Sequence, residues 1–169
     1  NCYSACSVTG TSRCGGIAAS NNYLIENCYN LGPCTYIGNG QSGYVGGIAG
    51  ATTINSQTLN CYNIADISNG VYSGGIVGQL ASKSTVAGCY YLSGTSAVGI
   101  GSGNSTGAQE KTLEELKTTD SFQNWDFSEI WVMNSDLGRP VFYEIAEDHF
   151  SDTWSSDDSH HWHACPCGN

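Results

Sequence analysis

The chain has 169 residues, room for one ordinary domain with at most a small appended module. Its 15 acidic and 5 basic residues leave a formal charge of −10, which repels phosphate backbones and anionic membranes, so nucleic acid is not an expected partner. Nothing in the sequence approaches the ~20 consecutive apolar residues that span a bilayer, and 22 glycines oppose a helical protein, because each Gly costs a helix interior about 1 kcal/mol.

The charge is divided unevenly. Residues 1–109 contain only Arg13, Glu26, Asp66 and Lys83, whereas residues 110–169 hold the other 13 acids against Lys111, Lys117 and Arg139. The chain opens at Asn1 without a leader peptide and closes inside a Cys/His cluster, which reads as a segment of a longer protein. Nine cysteines with abundant Gly, Asn and Ser fit an extracellular compartment better than the cytosol.

The first 104 residues repeat. Asn-Cys-Tyr occurs at Asn1-Cys2-Tyr3, Asn27-Cys28-Tyr29 and Asn60-Cys61-Tyr62, with a degenerate copy at Gly88-Cys89-Tyr90. Between these lies Gly-Gly-Ile, at Gly15-Gly16-Ile17, Gly46-Gly47-Ile48 and Gly74-Gly75-Ile76, with an echo at Gly99-Ile100-Gly101. The residue six places after the repeat Cys is Val8, Cys34 or Ile67; the one three places before it is Ile25, Thr58 or Val86. A unit of about 28 residues, rich in β-branched residues and turn glycines, is expected to form one coil of a parallel β-helix, or β-solenoid. Stacked coils bury like side chains as ladders, here Ile17/Ile48/Ile76 and Val8/Cys34/Ile67. The paired glycines imply either positive φ or close backbone approach. The expected fold class is therefore all-β: a β-solenoid of about 3–4 coils (1–104), a small α+β C-terminal cap (105–146) and a short Cys/His-rich tail (147–169).

The alternation of Asn-Cys-Tyr-Asn with Gly46-Gly47-Ile48-Ala49-Gly50 and Gly74-Gly75-Ile76-Val77-Gly78 resembles the GLUG-motif repeats of large bacterial surface proteins. The resemblance covers roughly residues 1–104. It implies a parallel β-helical fold and a bacterial cell-surface or secreted location, and it carries no particular chemistry. Such repeats occur in adhesin-like proteins and in non-catalytic parts of secreted peptidases, including immunoglobulin-A-specific ones.

An open solenoid end exposes unpaired strand groups, and residues 105–146 are expected to cover it. Thr112-Leu113-Glu114-Glu115 has capping-box spacing and predicts a helix of about two turns. Phe122, Trp125, Phe127, Ile130, Trp131 and Met133 form an aromatic-rich cluster, and Pro140–Ile145 reads as a closing strand. The cluster is expected to pack as core; the alternative is a sugar-stacking surface.

In the tail, four histidines and two cysteines fall within 19 residues. Thiolates with neutral imidazoles suit tetrahedral zinc, and His149, His161, Cys165 and Cys167 are the candidate ligands of a structural Zn site. The pattern is similar to small Cys/His repeats on surface proteins of gut Firmicutes, although those continue to a further His. A disulfide, or the stub of a following domain, is the competing reading. No other cofactor is expected.

Cys2, Cys28, Cys61 and Cys89 occupy equivalent positions and are expected to form a ladder of buried thiols. Cys6, Cys14 and Cys34 break the repeat, and a disulfide between two of them is a candidate staple. Tyr29, Tyr44, Tyr62 and Tyr72 are candidate glycan contacts on the coil exterior. With two acids, two bases and no His in residues 1–109, catalysis on the coils is not expected. The expected role is structural or adhesive, as a stalk, display scaffold or filament-forming segment. Its partners would be a host or bacterial surface protein, a glycan, or a second copy joined end to end. The alternatives are an accessory region of a secreted peptidase or glycan-active enzyme, or a carbohydrate-binding module.

Overall fold

The structure is a computed structural model that describes residues 1–40, 42–104 and 106–143, with the backbone of two further strands, Trp154–Ser156 and His161–His163. The first circuit of the chain makes β1 (Cys2–Ser4), β2 (Val8–Gly10), β3 (Arg13–Gly15), β4 (Ala18–Asn21) and β5 (Leu24–Glu26). The second repeats them as β6 (Cys28–Asn30), β7 (Cys34–Tyr36), β8 (Tyr44–Gly46), β9 (Ala49–Thr52) and β10 (Gln57–Leu59). The third gives β11 (Tyr62–Asn63), β12 (Ile67–Ser68), β13 (Tyr72–Gly74), β14 (Val77–Gln79) and β15 (Thr85–Ala87). Then follow β16 (Cys89–Leu92), β17 (Ile100–Ser102) and β18 (Ala108–Lys111).

Equivalent strands of successive circuits pair in parallel, giving five sheets ordered β1-β6-β11-β16-β18, β2-β7-β12, β3-β8-β13, β4-β9-β14-β17 and β5-β10-β15. The molecule is thus all-β with parallel sheets, in the manner of a β-helix. Register follows the repeat: Cys2 lies beside Cys28, Tyr29 beside Tyr3 and Tyr62, Cys34 beside Val8 and Ile67, and Thr58 beside Ile25 and Val86. The last rung, β18, lies beyond residue 104, so parallel stacking continues into the segment that the sequence divides off as cap.

The repeat has a backbone cause. Asn27 and Asn60 have φ of 51°, and Gly88, which replaces Asn in the fourth copy, has φ of 59°. Each turns the chain from one circuit into the next through the left-handed region, which Asn and Gly tolerate best. The paired glycines answer to space instead. A Cβ on Gly47 would collide with the Gly75 carbonyl and the Asn63 side chain, and one on Gly46 would lie 2.7 Å from the Gly78 nitrogen.

Inside the coils, Cys28, Cys61 and Cys89 pack with Ile48, Ile76, Val77, Val86 and Ile100, while Cys14 and Cys34 join Tyr36, Val45 and Ile67 in a second cluster. Asn30 and Asn63, both fully buried, form a polar rung. The Asn30 amide donates to Asn63 Oδ1 at 2.8 Å and to the Gly32 carbonyl at 2.7 Å, and Asn63 donates to the Ala65 carbonyl at 2.8 Å. Each Oδ1 also accepts the backbone N–H two residues on, so these side chains close their own turns.

The capping box forms: Thr112 N–H donates to Glu115 Oε2 at 2.8 Å, and Glu115 N–H donates to Thr112 Oγ1 at 3.2 Å. It starts only a 3-10 turn, Glu115–Lys117, because Thr118 is already extended; a second such turn spans Thr119–Ser121. The expected two-turn α-helix is therefore absent among the described residues. An antiparallel hairpin follows, β19 (Trp131–Asn134) with β20 (Arg139–Phe142). β21 (Trp154–Ser156) and β22 (His161–His163) also pair antiparallel.

Candidate functional site

The outer face of the β1-β6-β11-β16-β18 sheet carries one tyrosine per circuit. In-register pairing stacks Tyr3 on Tyr29 with ring centres 5.1 Å apart, and Tyr29 on Tyr62 at 5.0 Å, both pairs within 12° of parallel. Residues 112–143 pack against this side face, which corrects the expectation of a cover over the solenoid end. Trp131, fully buried, lies against Tyr29, Tyr62 and Phe142, and it stacks on Trp125 with ring centres 4.3 Å apart. Phe122 meets Tyr90 edge-on, and Leu116 closes the same cluster. A flat ladder of ring faces is an apolar surface too large to leave in water, and the hairpin and 3-10 turns supply the matching rings.

Polar tips fix the alignment. The Tyr62 hydroxyl donates to the Pro140 carbonyl at 2.6 Å and accepts from Arg139 Nη1 at 2.9 Å, while the Arg139 guanidinium lies over the Tyr29 ring. Trp125 Nε1 donates to the Gly88 carbonyl at 2.8 Å, and the Tyr90 hydroxyl accepts the Gln123 N–H at 3.0 Å. Burial pushes the Tyr62 and Tyr29 phenols above their ordinary values, with Arg139 opposing the shift in both. The Trp131 indole N–H is buried and has no hydrogen-bond partner among the described residues.

Two of the four candidate glycan tyrosines are thereby removed from solvent. Tyr29 and Tyr62 are 2 % and 0 % exposed beneath the aromatic cover, so no sugar reaches their rings. Tyr44 and Tyr72 lie elsewhere, stacked at 5.4 Å on the β3-β8-β13 sheet beside Arg13, with Tyr72 exposed. Phe122, Trp125 and Trp131 are buried, which settles them as packing rings.

Cys2, Cys6, Cys14, Cys28, Cys34, Cys61 and Cys89 are all thiols. No disulfide joins Cys6, Cys14 and Cys34: Cys6 is exposed in the turn after β1, whereas Cys14 and Cys34 are interior. Burial pushes Cys14 upward and Cys34 to about 11, with the Cys14 thiol adding to the latter. In the ladder, the Cys28, Cys61 and Cys89 thiols each donate to the carbonyl two residues earlier, at 3.2, 3.0 and 3.4 Å. Burial raises Cys61 well above the ordinary thiol value, while hydrogen bonding with the neighbouring Cys61 side chain lowers Cys28 to about 7.

Among the described residues no three His, Cys, Asp or Glu side chains gather as a metal site. The zinc ligand set His149, His161, Cys165 and Cys167 lies outside the residues whose side chains are described. A cavity of about 250 Å³ opens where the first rung meets the hairpin, lined by Cys2, Tyr3, Glu129, Ile130, Phe142 and Tyr143. The Asn30/Asn63 rung and the role of Arg139 emerge only from the fold. Asn at a fixed two places after Cys28 and Cys61 was a usable signal for the first; nothing local marks the second.

No family model and no curated protein matches the chain. Among solved structures it is similar to a candidate immunoglobulin A1 protease from Bacteroides ovatus, with a TM-score of 0.54 and 22 % identity. The match covers 85 % of this chain and 56 % of that one, so the chain spans little more than half of that structure, and the likeness is one of fold.

Proposed function

We propose that this chain is a non-catalytic, GLUG-type β-solenoid segment of a bacterial cell-surface or secreted protein, serving as a stiff scaffold. The observation that carries this reading is the in-register ladder of Cys, Tyr and Asn rungs whose ring face is covered by the chain's own aromatic hairpin. That side of the molecule is given to bracing one circuit against the next. In residues 1–109 the charged groups are Arg13 and Glu26 in the first circuit and Asp66 and Lys83 in the third, each on a different strand or turn, with none in the second. A hydrolytic site needs acid, base or electrophile converging on one bond. The test is to incubate the purified chain with casein, immunoglobulin A1 and neutral and acidic polysaccharides. The expected result is no turnover above buffer; reproducible cleavage of any of them would overturn the scaffold reading.

The fold likeness to a candidate immunoglobulin A1 protease favours a second reading, an accessory region of a secreted peptidase. Immobilised immunoglobulin A1 separates the two: binding without cleavage supports an accessory role, and no binding leaves the plain scaffold. For the tail, the proposal is a structural zinc held by His149, His161, Cys165 and Cys167. It is tested by metal content and thiol count on one sample; a metal-free tail with Cys165 and Cys167 oxidised would sink it.

A further inference from the structure

Asn-Gly occurs twice in the chain, at Asn39-Gly40 and Asn69-Gly70, and Asn-Ser at Asn55-Ser56, Asn104-Ser105 and Asn134-Ser135. The backbone nitrogen that follows an asparagine can attack its side-chain amide, most readily when the following residue has no Cβ to crowd the approach. The attack needs that nitrogen and the amide free of other bonds.

The fold treats these sites differently. Gly40 N–H donates to the Tyr36 hydroxyl at 3.0 Å, and that hydroxyl donates back to the Gly40 carbonyl at 3.1 Å. Ser56 N–H donates to the Thr53 carbonyl at 3.3 Å. The Asn134 side-chain oxygen accepts the N–H groups of Asp136 and Leu137. Asn104 adjoins residue 105, which lies outside the described residues. At Asn69-Gly70, neither the Asn69 side chain nor the Gly70 N–H has a hydrogen-bond partner among the described residues, and Asn69 is exposed. The turn is held from one side only: β12 and β13 end their sheets, because the fourth circuit runs from β16 to β17 without counterparts to them. Asn69 has φ of 64°, so ring closure requires the turn to swing. A short turn between strands can do so without unpairing a rung.

We propose that Asn69 is a self-modifying site. The Gly70 nitrogen bonds to the Asn69 side-chain carbonyl carbon, the bond from that carbon to the amide nitrogen breaks, and ammonia leaves with the proton that Gly70 gives up. The cyclic imide then takes up one water, which opens it at either carbonyl, leaving an aspartate or an isoaspartate at position 69. Water is the only co-reactant, and nothing is oxidised or reduced. Both products place a carboxylate in residues 1–109, whose two acids and two bases otherwise cancel. The iso form also adds a methylene to the backbone beside Gly70, where room is short. A Cβ on Gly70 would lie 2.7 Å from Val45 Cγ2 and from Ser73 Oγ, and the Ser73 hydroxyl donates to the Gly70 carbonyl. Modification thus disturbs the turn that leads Tyr72 into its stack on Tyr44.

The test incubates the full chain at mildly alkaline pH in heavy-oxygen water and follows each asparagine peptide by mass spectrometry. Methylation by an isoaspartyl methyltransferase, with S-adenosylmethionine as donor, is the second readout. Position 69 is expected to take up heavy oxygen at least about fivefold faster than position 39, the scale set by one hydrogen bond. Tyr36→Phe frees the Gly40 N–H and should speed position 39 at least about threefold while leaving position 69 unchanged. The chain in denaturant supplies the intrinsic rates at both positions. The proposal fails if position 69 of the folded chain stays unmodified while the denatured chain reacts there. It also fails if positions 69 and 39 react equally in the folded chain, because the difference in bonding then has no role.

Discussion

The solenoid and its aromatic cover solve the same problem with opposite materials. Circuits 1–111 use small side chains, buried amides and thiols, and gain their order from backbone pairing repeated at every corner. The cover, 112–143, has little regular pairing beyond one hairpin and depends on Trp125, Trp131, Phe122 and Phe142 meeting a ladder that the solenoid presents. A repeat distributes its stability, so no single side chain dominates. A cover concentrates it in a few rings, and single substitutions there should tell.

The sharpest way to break this comparison is Trp131→Ala. Emptying a fully buried indole site should cost about 3–5 kcal/mol. Near-ultraviolet dichroism should fade while the far-ultraviolet strand signal stays, as the cover loosens from an intact stack. Loss of both signals in one step would mean that the two regions fold as a single unit. Trp131→Phe should cost clearly less, because it also removes a buried N–H that has no acceptor among the described residues.

Gly47→Ala probes the other region. The added methyl meets the Gly75 carbonyl and the Asn63 side chain, and spreading two circuits should cost about 1–3 kcal/mol in chemical denaturation. Here the strand and aromatic signals should fall together, because the ladder that holds the cover is itself disturbed.

Alkaline titration addresses both regions at once. The folded state raises Cys14, Cys34 and Cys61 in the coils and Tyr29 and Tyr62 under the cover, each chiefly by burial. These groups stay neutral when folded, so their contribution is complete below the unfolded thiol value of ~8.5. It drains as pH rises past that value and then past ~10, where unfolded tyrosines ionise. Melting temperature should therefore fall in two stages above about pH 8. Tyr62→Phe should flatten the second stage at a neutral-pH cost of about 1 kcal/mol for the lost Pro140 and Arg139 contacts. The smallest effect is expected for Tyr3→Ala, within about 0.5 kcal/mol, since that ring is half exposed. A large loss there would show that the first described rung is braced as well as the inner ones.

Much of the solenoid was legible because repetition writes the register into the sequence. Val8, Cys34 and Ile67 align as their spacing requires, and Ile17, Ile48 and Ile76 follow one another through backbone bonds from Ile17 to Ile48 and from Ile48 to Ile76. The paired glycines allowed two causes, and in the fold the cause is crowding; positive φ belongs instead to Asn27, Asn60 and Gly88. The cover was legible as a buried aromatic cluster, but its target was not. Nothing within residues 112–143 says that they meet the side face, because that face is a property of tyrosines about 30 residues apart. The same nonlocality misdirected the glycan reading of Tyr29 and Tyr62. The candidate staple drew on two of Cys6, Cys14 and Cys34; Cys6 is exposed, while Cys14 and Cys34 take interior places beside Val45 and Ile67 respectively.

The contacts of the cover with Tyr29, Tyr62 and Tyr90 also have a mechanical meaning. They tie three successive circuits together from the side, so a pull along the stack that parts any of these must shear stacked rings and the Tyr62–Arg139 contact as well as backbone pairs. The first circuit lacks that full brace, its ring still half in water. Among the described circuits, the seam between the first and second should part first under tension, opening like a zipper from its least clamped tooth.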